Sequence, residues 1–245
     1  MSMEEKLERF KEIIDQHHRI VFFGGAGVST ASGIPDFRSS AGLYAEDQHR
    51  QLPAEEIVSA SFFQKNPAQF FQFYFDKLVY PEAKPNITHQ FMAQLEEQGK
   101  NIQIVTQNID NLHEQAGSSH VHHLHGTTEH NYCINCGRYY NYEELILDES
   151  GIPRCSADQG IVRPDVTLYG EQLDRTVVDQ AIRVMKEAEV LIVAGTSLVV
   201  YPAAGLIDYF NGQHAIVINN QPIRTHRLEP LLFIQDMTDV FSVLS

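Results

Sequence analysis

The stretch Gly24-Gly25-Ala26-Gly27-Val28-Ser29-Thr30-Ala31-Ser32-Gly33-Ile34-Pro35-Asp36-Phe37-Arg38 begins where the apolar run Ile20-Val21-Phe22-Phe23 ends. Glycines and small residues directly after a buried strand let backbone N–H groups approach a ligand, and a helix N-terminus at that point favours a phosphate. A nucleotide is the ligand this arrangement suits. The glycine spacing does not decide the matter alone, because the third position of the G-x-G-x-x-G fingerprint is Thr30, and a tight strand-to-helix turn would use the same residues. Dinucleotide dehydrogenases also place an acidic residue about 20 positions on, at the end of a second strand. Glu46 and Asp47 stand at that distance, but Ser39-Ser40-Ala41-Gly42-Leu43-Tyr44 before them is not a strand, which argues against hydride transfer.

A second polar constellation follows another apolar run. Thr106-Gln107-Asn108-Ile109-Asp110-Asn111-Leu112-His113 comes after Ile102 to Val105, and His122-His123-Leu124-His125-Gly126-Thr127 lies shortly beyond. Open α/β sheets bind ligands at the carboxyl ends of their parallel strands. Amides and a carboxylate there can grip a carboxamide. His125, between Leu124 and Gly126, is the candidate base near neutral pH, while His113, His120, His122 and His123 read as surface or packing residues.

Cys133 and Cys136 form a C-x2-C pair, and Cys155 follows 19 residues after Cys136. In a chain with no sign of secretion this points to a metal rather than a disulfide. The zinc pattern puts a fourth ligand at 158, where Asp158 stands in place of cysteine. Zinc accepts a carboxylate, although a hard ligand among three thiolates weakens the hold. Three free thiols, or a fourth ligand from His123, His130 or another nearby group, are the alternatives. In each case the site is structural, with no open position for chemistry.

The elements that must carry these groups are legible as an alternation. Ile20–Phe23, Ile102–Val105, Val190–Ala194 and Ala215–Asn219 are continuous apolar runs, as expected for strands covered on both faces. Amphipathic helices are predicted over Leu7–His18, Ile87–Gln98 and Thr176–Glu189, so the fold class is α/β with a doubly wound parallel, Rossmann-like sheet. Two segments break the alternation. Residues 39–86, rich in aromatics, read as a helical insertion, and residues 127–165 as a small cysteine-containing zinc module; residues 1–38, 87–126 and 166–245 form the nucleotide-binding domain. The chain has 245 residues, 43% of them hydrophobic, and a net charge of −14. That length supports one large core with a small satellite. The charge disfavours nucleic acid and suits basic, lysine-bearing substrates. The charged start is not a signal peptide, and Val190–Ile207 is split by Gly195, Thr196, Ser197 and Pro202 and does not span a membrane. A cytoplasmic protein is expected; the oligomeric state is not legible.

Taken together, GAGVSTASGIPDFR (25–38), TQNIDNLH (106–113), HLHG (123–126), the C-x2-C pair, RPDVTLYGE (163–171), GTSLVVYPAA (195–204) and VINN (217–220) resemble the sirtuin family of NAD-dependent protein deacylases, and its bacterial members above all. The matching segments run through nearly the whole chain. The resemblance implies that Gly25, Ala26, Gly27 and Thr30 face the phosphates, with Asp36, Phe37 and Arg38 beside the pyrophosphate, ribose and nicotinamide. It implies that Gln107, Asn108, Ile109 and Asp110 line the ribose and nicotinamide pocket, and that Thr196, Ser197, Asn219, Asn220, Asp236 and Met237 belong to the adenosine half. Val166, Thr167, Tyr169, Gly170, Glu171, Val199, Val200 and Tyr201 match the acyl-lysine channel, where a substrate strand adds by β-augmentation.

The implied reaction consumes NAD: nicotinamide leaves, the acyl oxygen captures C1′ of the ribose, and an alkylamidate forms. His125, with Asn108 and Asp110 as catalytic neighbours, then acts as general base on a ribose hydroxyl, and water releases lysine and O-acyl-ADP-ribose. Family members that prefer acidic acyl groups carry Tyr-x-x-Arg where this chain reads Tyr74-Phe75-Asp76-Lys77; lysine lacks the bidentate fork of arginine, so acetyl is the expected group. Competing readings are a mono-ADP-ribosyltransferase or NAD glycohydrolase, a non-catalytic NAD sensor, and a zinc enzyme that hydrolyses acyl-lysine directly.

Overall fold

Each of the four apolar runs forms a strand, and together they make the centre of one sheet. The computed structural model describes residues 1–36, 52–225 and 228–244. In chain order the strands are β1 (Arg19–Gly24), β2 (Asn101–Thr106), β3 (Val121–His123), β4 (Gly126–Cys133), β5 (Tyr139–Asn141), β6 (Val162–Val166), β7 (Val190–Ala194), β8 (His214–Asn219) and β9 (Leu231–Ile234). Six of them form a parallel sheet in the order β3-β2-β1-β7-β8-β9, with Ile20 opposite both Ile102 and Val190.

Side chains of β1 alternate between two cores, as a pleated strand covered on both faces requires. Ile20 and Phe22 enter one with Phe10, Ile13 and Ile14 of helix α1 (Met3–Gln16). Val21 and Phe23 enter the other with Ala181, Val184 and Met185 of a helix over Arg175–Glu187. Helix α1 starts before the expected Leu7 because Ser2 and Glu5 form a reciprocal capping box ahead of the apolar stripe. The first core is completed by the helices over Ile87–Glu97 and Met237–Leu244.

The satellite joins two pieces. Helices α2 (Ala54–Ile57), α3 (Ala60–Lys65) and α4 (Pro67–Lys77) pack Phe62, Phe63, Phe70, Phe71 and Tyr74 into an aromatic core. The next helices along the chain are α5 (Ile87–Glu97), α6 (Leu112–Ala116), α7 (Arg175–Glu187) and α8 (Met237–Leu244). The second piece is an antiparallel sheet in the order β5-β4-β6, formed by the cysteine-bearing segment that shows little apolar periodicity in sequence.

Gly126 links the two sheets. Its φ is +74°, and a Cβ there would overlap the carbonyl oxygen of Asp165 on the neighbouring strand. Gly126→Ala is expected to lower stability by about 3 kcal/mol or more, since the left-handed conformation alone costs about 1–3 kcal/mol. Chemical denaturation measures this; a change under about 1 kcal/mol would contradict the packing described.

Candidate active site

The sheet reverses its winding at β1, whose two neighbours β2 and β7 lead in opposite directions, and a cleft of about 1040 Å3 opens where these strands end. Such switch points are where open α/β sheets bind ligands. The loop after β1 forms two turns of 3-10 helix, Ala26–Val28 and Thr30–Ser32, rather than the start of an α-helix. The N–H groups of Gly25 and Gly27 donate to the carbonyls of Ala194 and Gly195, which draws the loop against the turn after β7. A Cβ on Gly27 would lie 2.8 Å from the Gly195 Cα, so glycine is demanded there by this close approach as well as by any ligand. Asn86, the cap of α5, fixes the loop from the other side by donating to the Val28 carbonyl (2.8 Å) and to Ser32 Oγ (2.9 Å).

Within the cleft, Ser29 Oγ donates to Asp110 Oδ2 (2.8 Å) and accepts from Asn108 Nδ2 (3.0 Å). Asp110 Oδ1 also accepts from the Leu112 N–H and so anchors the start of α6. Burial raises the Asp110 pKa, and the bonds from Ser29 and Leu112 offset this only in part. Gln107 Nε2 donates to Thr196 Oγ1 at 3.0 Å and ties the loops after β2 and β7. His125 Nδ1 lies 2.8 Å from the Gln107 carbonyl, which accepts its proton and leaves Nε2 as the acceptor atom of the ring. Burial lowers the His125 pKa, with the Gln107 carbonyl opposing, so the ring is neutral at pH 7.

Histidine 113 is buried, in edge contact with Phe22 and His89. His122 Nε2 is 3.0 Å from Gln103 Oε1. His123 lies outside the cleft lining, its Nε2 at 2.6 Å from Glu114 Oε1 and its Nδ1 at 3.3 Å from the Asn108 carbonyl.

The structure brings most of the sequence-predicted site residues to this one cleft. Gly25, Ala26, Gly27, Asp36, Gln107, Asn108, Ile109, Asp110 and His125 line it, as do Thr196, Ser197, Asn219, Asn220 and Met237. Of the channel residues, Val166, Thr167, Tyr169, Gly170, Glu171, Val200 and Tyr201 line it, whereas Val199 is not among the lining residues and is 56% exposed. The Glu171 carboxylate is turned onto Arg163 (2.7 and 3.1 Å) and onto the Leu168 N–H, bracing the 166–171 segment. Thr30 and Asp236 lie outside the lining: Thr30 Oγ1 donates to the Gly27 carbonyl, and Asp236 accepts from the Thr238 N–H and hydroxyl at the start of α8. Phe37 and Arg38 fall outside the described residues. Tyr74 stacks on Phe70 within the aromatic core, and it and Lys77 both reach the cleft lining.

Sequence reasoning singled out neither Ser29 nor Leu168, although both sit inside motifs quoted above. Glu129 and Tyr142, which also line the cleft, carry no sequence signal at all.

Cys133, Cys136, Cys155 and Asp158 converge in the satellite, their ligand atoms within 4.8 Å of one another. Cys136 Sγ is 3.6 Å from Cys155 Sγ, and Cys133 Sγ is 3.4 Å from Asp158 Oδ1. These separations match the edges of a tetrahedron built on zinc–sulfur bonds of about 2.3 Å, which come to about 3.8 Å. Donors also surround the sulfurs: the Asn135 N–H points at Cys133, and the Ala157 N–H and Tyr140 hydroxyl at Cys155. The residues fit a closed zinc centre, and none of the four lines the cleft. Of the fourth ligands considered, Asp158 is the one the fold brings to the three thiols.

Residues 25–202 match the Sir2 family. A Clostridium perfringens NAD-dependent protein deacetylase is 53% identical over 218 residues, which cover 89% of this chain and 89% of that protein. A solved Sir2 structure with a deacetylated p53 peptide and 3′-O-acetyl-ADP-ribose is 33% identical, with a TM-score of 0.86 over 99% of this chain and 96% of the other. Another, Sir2 with a p53 peptide and NAD+, is 33% identical with a TM-score of 0.84, covering 100% and 97%.

Proposed function

The chain belongs to the Sir2 family, and from that premise we propose that it is an NAD-dependent protein-lysine deacetylase whose reaction takes place in the cleft at the ends of β1, β2, β7 and β8. The observation that carries this reading is the pairing of His125, its Nδ1 tied to the Gln107 carbonyl, with the linked amide, hydroxyl and carboxylate of Asn108, Ser29 and Asp110. NAD supplies an electrophilic ribose carbon and a nicotinamide leaving group. The chain's own residues do the rest. Asn108 and Asp110 bind the ribose and carboxamide in a fixed pose because Ser29 locks both side chains. His125 Nε2 takes the proton from a ribose hydroxyl as it becomes a nucleophile. Gln107 and Thr196, bonded to each other, and Asn219 bound to the Gln221 carbonyl, shape the nucleotide side.

The acyl-lysine enters along residues 166–170, whose backbone adds a strand partner and whose apolar side chains admit a neutral amide but disfavour an ammonium. Arg163 and Glu171 brace that segment. Zinc held by Cys133, Cys136, Cys155 and Asp158 would staple the satellite; the closed donor set, none of whose residues lines the cleft, argues against direct metal-assisted hydrolysis. Reduced thiols of this kind suit a cytoplasmic setting. Among the described residues no helix is long and apolar enough to cross a membrane.

The test is incubation with an acetyl-lysine peptide with and without NAD, followed by mass spectrometry of the peptide. Deacetylation that requires NAD supports the proposal, and deacetylation without NAD contradicts it. The pH dependence follows from the base. Because burial depresses the His125 pKa below the usual 6.5, the acid limb of kcat/KM is expected to have its midpoint below 6.5, with activity rising as pH increases through it. A midpoint above 7 would count against His125 as that base.

A further inference from the structure

Contacts, rather than sequence, set His123 apart from the neighbouring histidines. It ends β3, in register with Thr106 at the end of β2, directly beneath the loop that carries Asn108 and Asp110. Its Nε2 meets the Glu114 carboxylate of α6 at 2.6 Å and its Nδ1 meets the Asn108 carbonyl at 3.3 Å. A carboxylate and a peptide carbonyl are both acceptors, so making both contacts requires N–H on both ring nitrogens, which only the imidazolium has. Two residues on, His125 donates to the carbonyl of Gln107. Consecutive carbonyls of one loop are therefore gripped by two histidines, one in the cleft lining and one outside it.

We propose that His123, as an imidazolium bridging Glu114 and the Asn108 carbonyl, is a positioning residue that holds the Asn108–Asp110 loop in its NAD-binding geometry. For its effect on turnover, this rests on the deacetylase reading above. Burial lowers the His123 pKa, but the bond and charge of Glu114, the Asn108 carbonyl and the charge of Asp110 outweigh it and raise the pKa above 6.5. The other titratable groups facing it are His113 on α6 and His122 on β3, both lowered by burial, with His120 and Arg183 of α7 beyond His122. The strap is present below the raised pKa and is lost as pH rises through it, whereas His125 is competent as a base above its own lowered pKa. The two histidines thus bound an activity window from opposite sides.

Two readouts on the full chain test this. In 15N-histidine NMR, assigned with His123→Phe, the His123 ring is expected to bind its second proton with a midpoint above 6.5, one that falls by about one unit in Glu114→Gln. A midpoint at or below 6.5, or one unmoved by Glu114→Gln, overturns the proposal. In steady-state kinetics, His123→Phe is expected to lower kcat/KM for NAD about tenfold, the scale of a lost charged hydrogen bond, with the peptide KM unchanged within about twofold. In Glu114→Gln the alkaline limb should move down with the NMR midpoint, which keeps the test open if His123→Phe does not fold. A folded His123→Phe protein with kcat/KM for NAD within twofold of wild type, or an unmoved alkaline limb, overturns it. If the wild-type protein releases no nicotinamide, the deacetylase reading fails. The strap is then judged by the NMR midpoint and by NAD affinity, expected to be about tenfold weaker in His123→Phe.

Discussion

Exchanging His125 for Ala lowers formation of deacetylated peptide by about 10²- to 10⁴-fold, the range supplied by a well-placed general base. The loss falls on chemistry rather than folding. The His125 side chain is partly buried and bonded to the Gln107 carbonyl, while the neighbouring backbone bond from the Thr167 N–H to the His125 carbonyl does not involve the side chain. The melting temperature is therefore expected to stay within a few degrees of wild type, and NAD binding within a few-fold, because Ser29, Asn108 and Asp110 keep their mutual bonds. Release of nicotinamide, which does not need the base, should persist after deacetylation has gone. Comparing nicotinamide with deacetylated peptide in the variant checks this; peptide turnover within tenfold of wild type removes His125 from the proposed role.

Removal of the metal is expected to have the other large effect. The apolar cluster between the strands of the satellite sheet is Cys133, Tyr140, Cys155 and Val162, with Leu145 against them, too small to hold three strands together unaided. Because the four ligands come together only in the folded chain, zinc binding adds directly to folding free energy. Cys155→Ser, or exhaustive chelation, should remove one zinc per chain, lower the melting temperature by about 10 °C and abolish deacetylation. Activity is lost because β4 and β6 carry Gly126 and Val166, the roots of the His125 and acyl-lysine segments. Asp158→Cys should retain zinc against chelator longer than wild type, since a fourth thiolate replaces a harder oxygen. Metal analysis and thermal melts decide the matter: Cys155→Ser protein with wild-type melting and activity would contradict a structural role for the cluster.

What the sequence made legible follows from how each part is stabilised. The four central strands are covered on both faces, so their residues from Ile20, Ile102, Val190 and Ala215 onward are apolar almost throughout, with Gln103 of β2 the half-buried exception, and could be read as such. Edge strands escape that logic. β3 is three residues of mixed polarity and does not stand out from a loop, while β9 is the apolar run Leu231–Ile234, too short for periodicity alone to tell a strand from another buried segment. The satellite sheet was illegible because cysteines and paired polar residues replace the alternation that a larger core would demand. In the site, the motifs located the cleft, but Ser29 became visible only when folding placed it between two groups about eighty residues away in sequence. The distinction between His123 and His125 is likewise one of partners: a carboxylate makes one a cation, and a lone carbonyl leaves the other neutral.

The central claim is that one NAD is consumed for each acetyl group removed, with the acetyl group leaving on ADP-ribose. Quantitative mass spectrometry of a single reaction, following nicotinamide, O-acetyl-ADP-ribose and deacetylated peptide together, tests it most directly. The account predicts equal molar amounts of all three at every time point. Nicotinamide accompanied only by free ADP-ribose, or by ADP-ribose attached to protein, would contradict it and assign the cleft to NAD hydrolysis or ADP-ribosyl transfer.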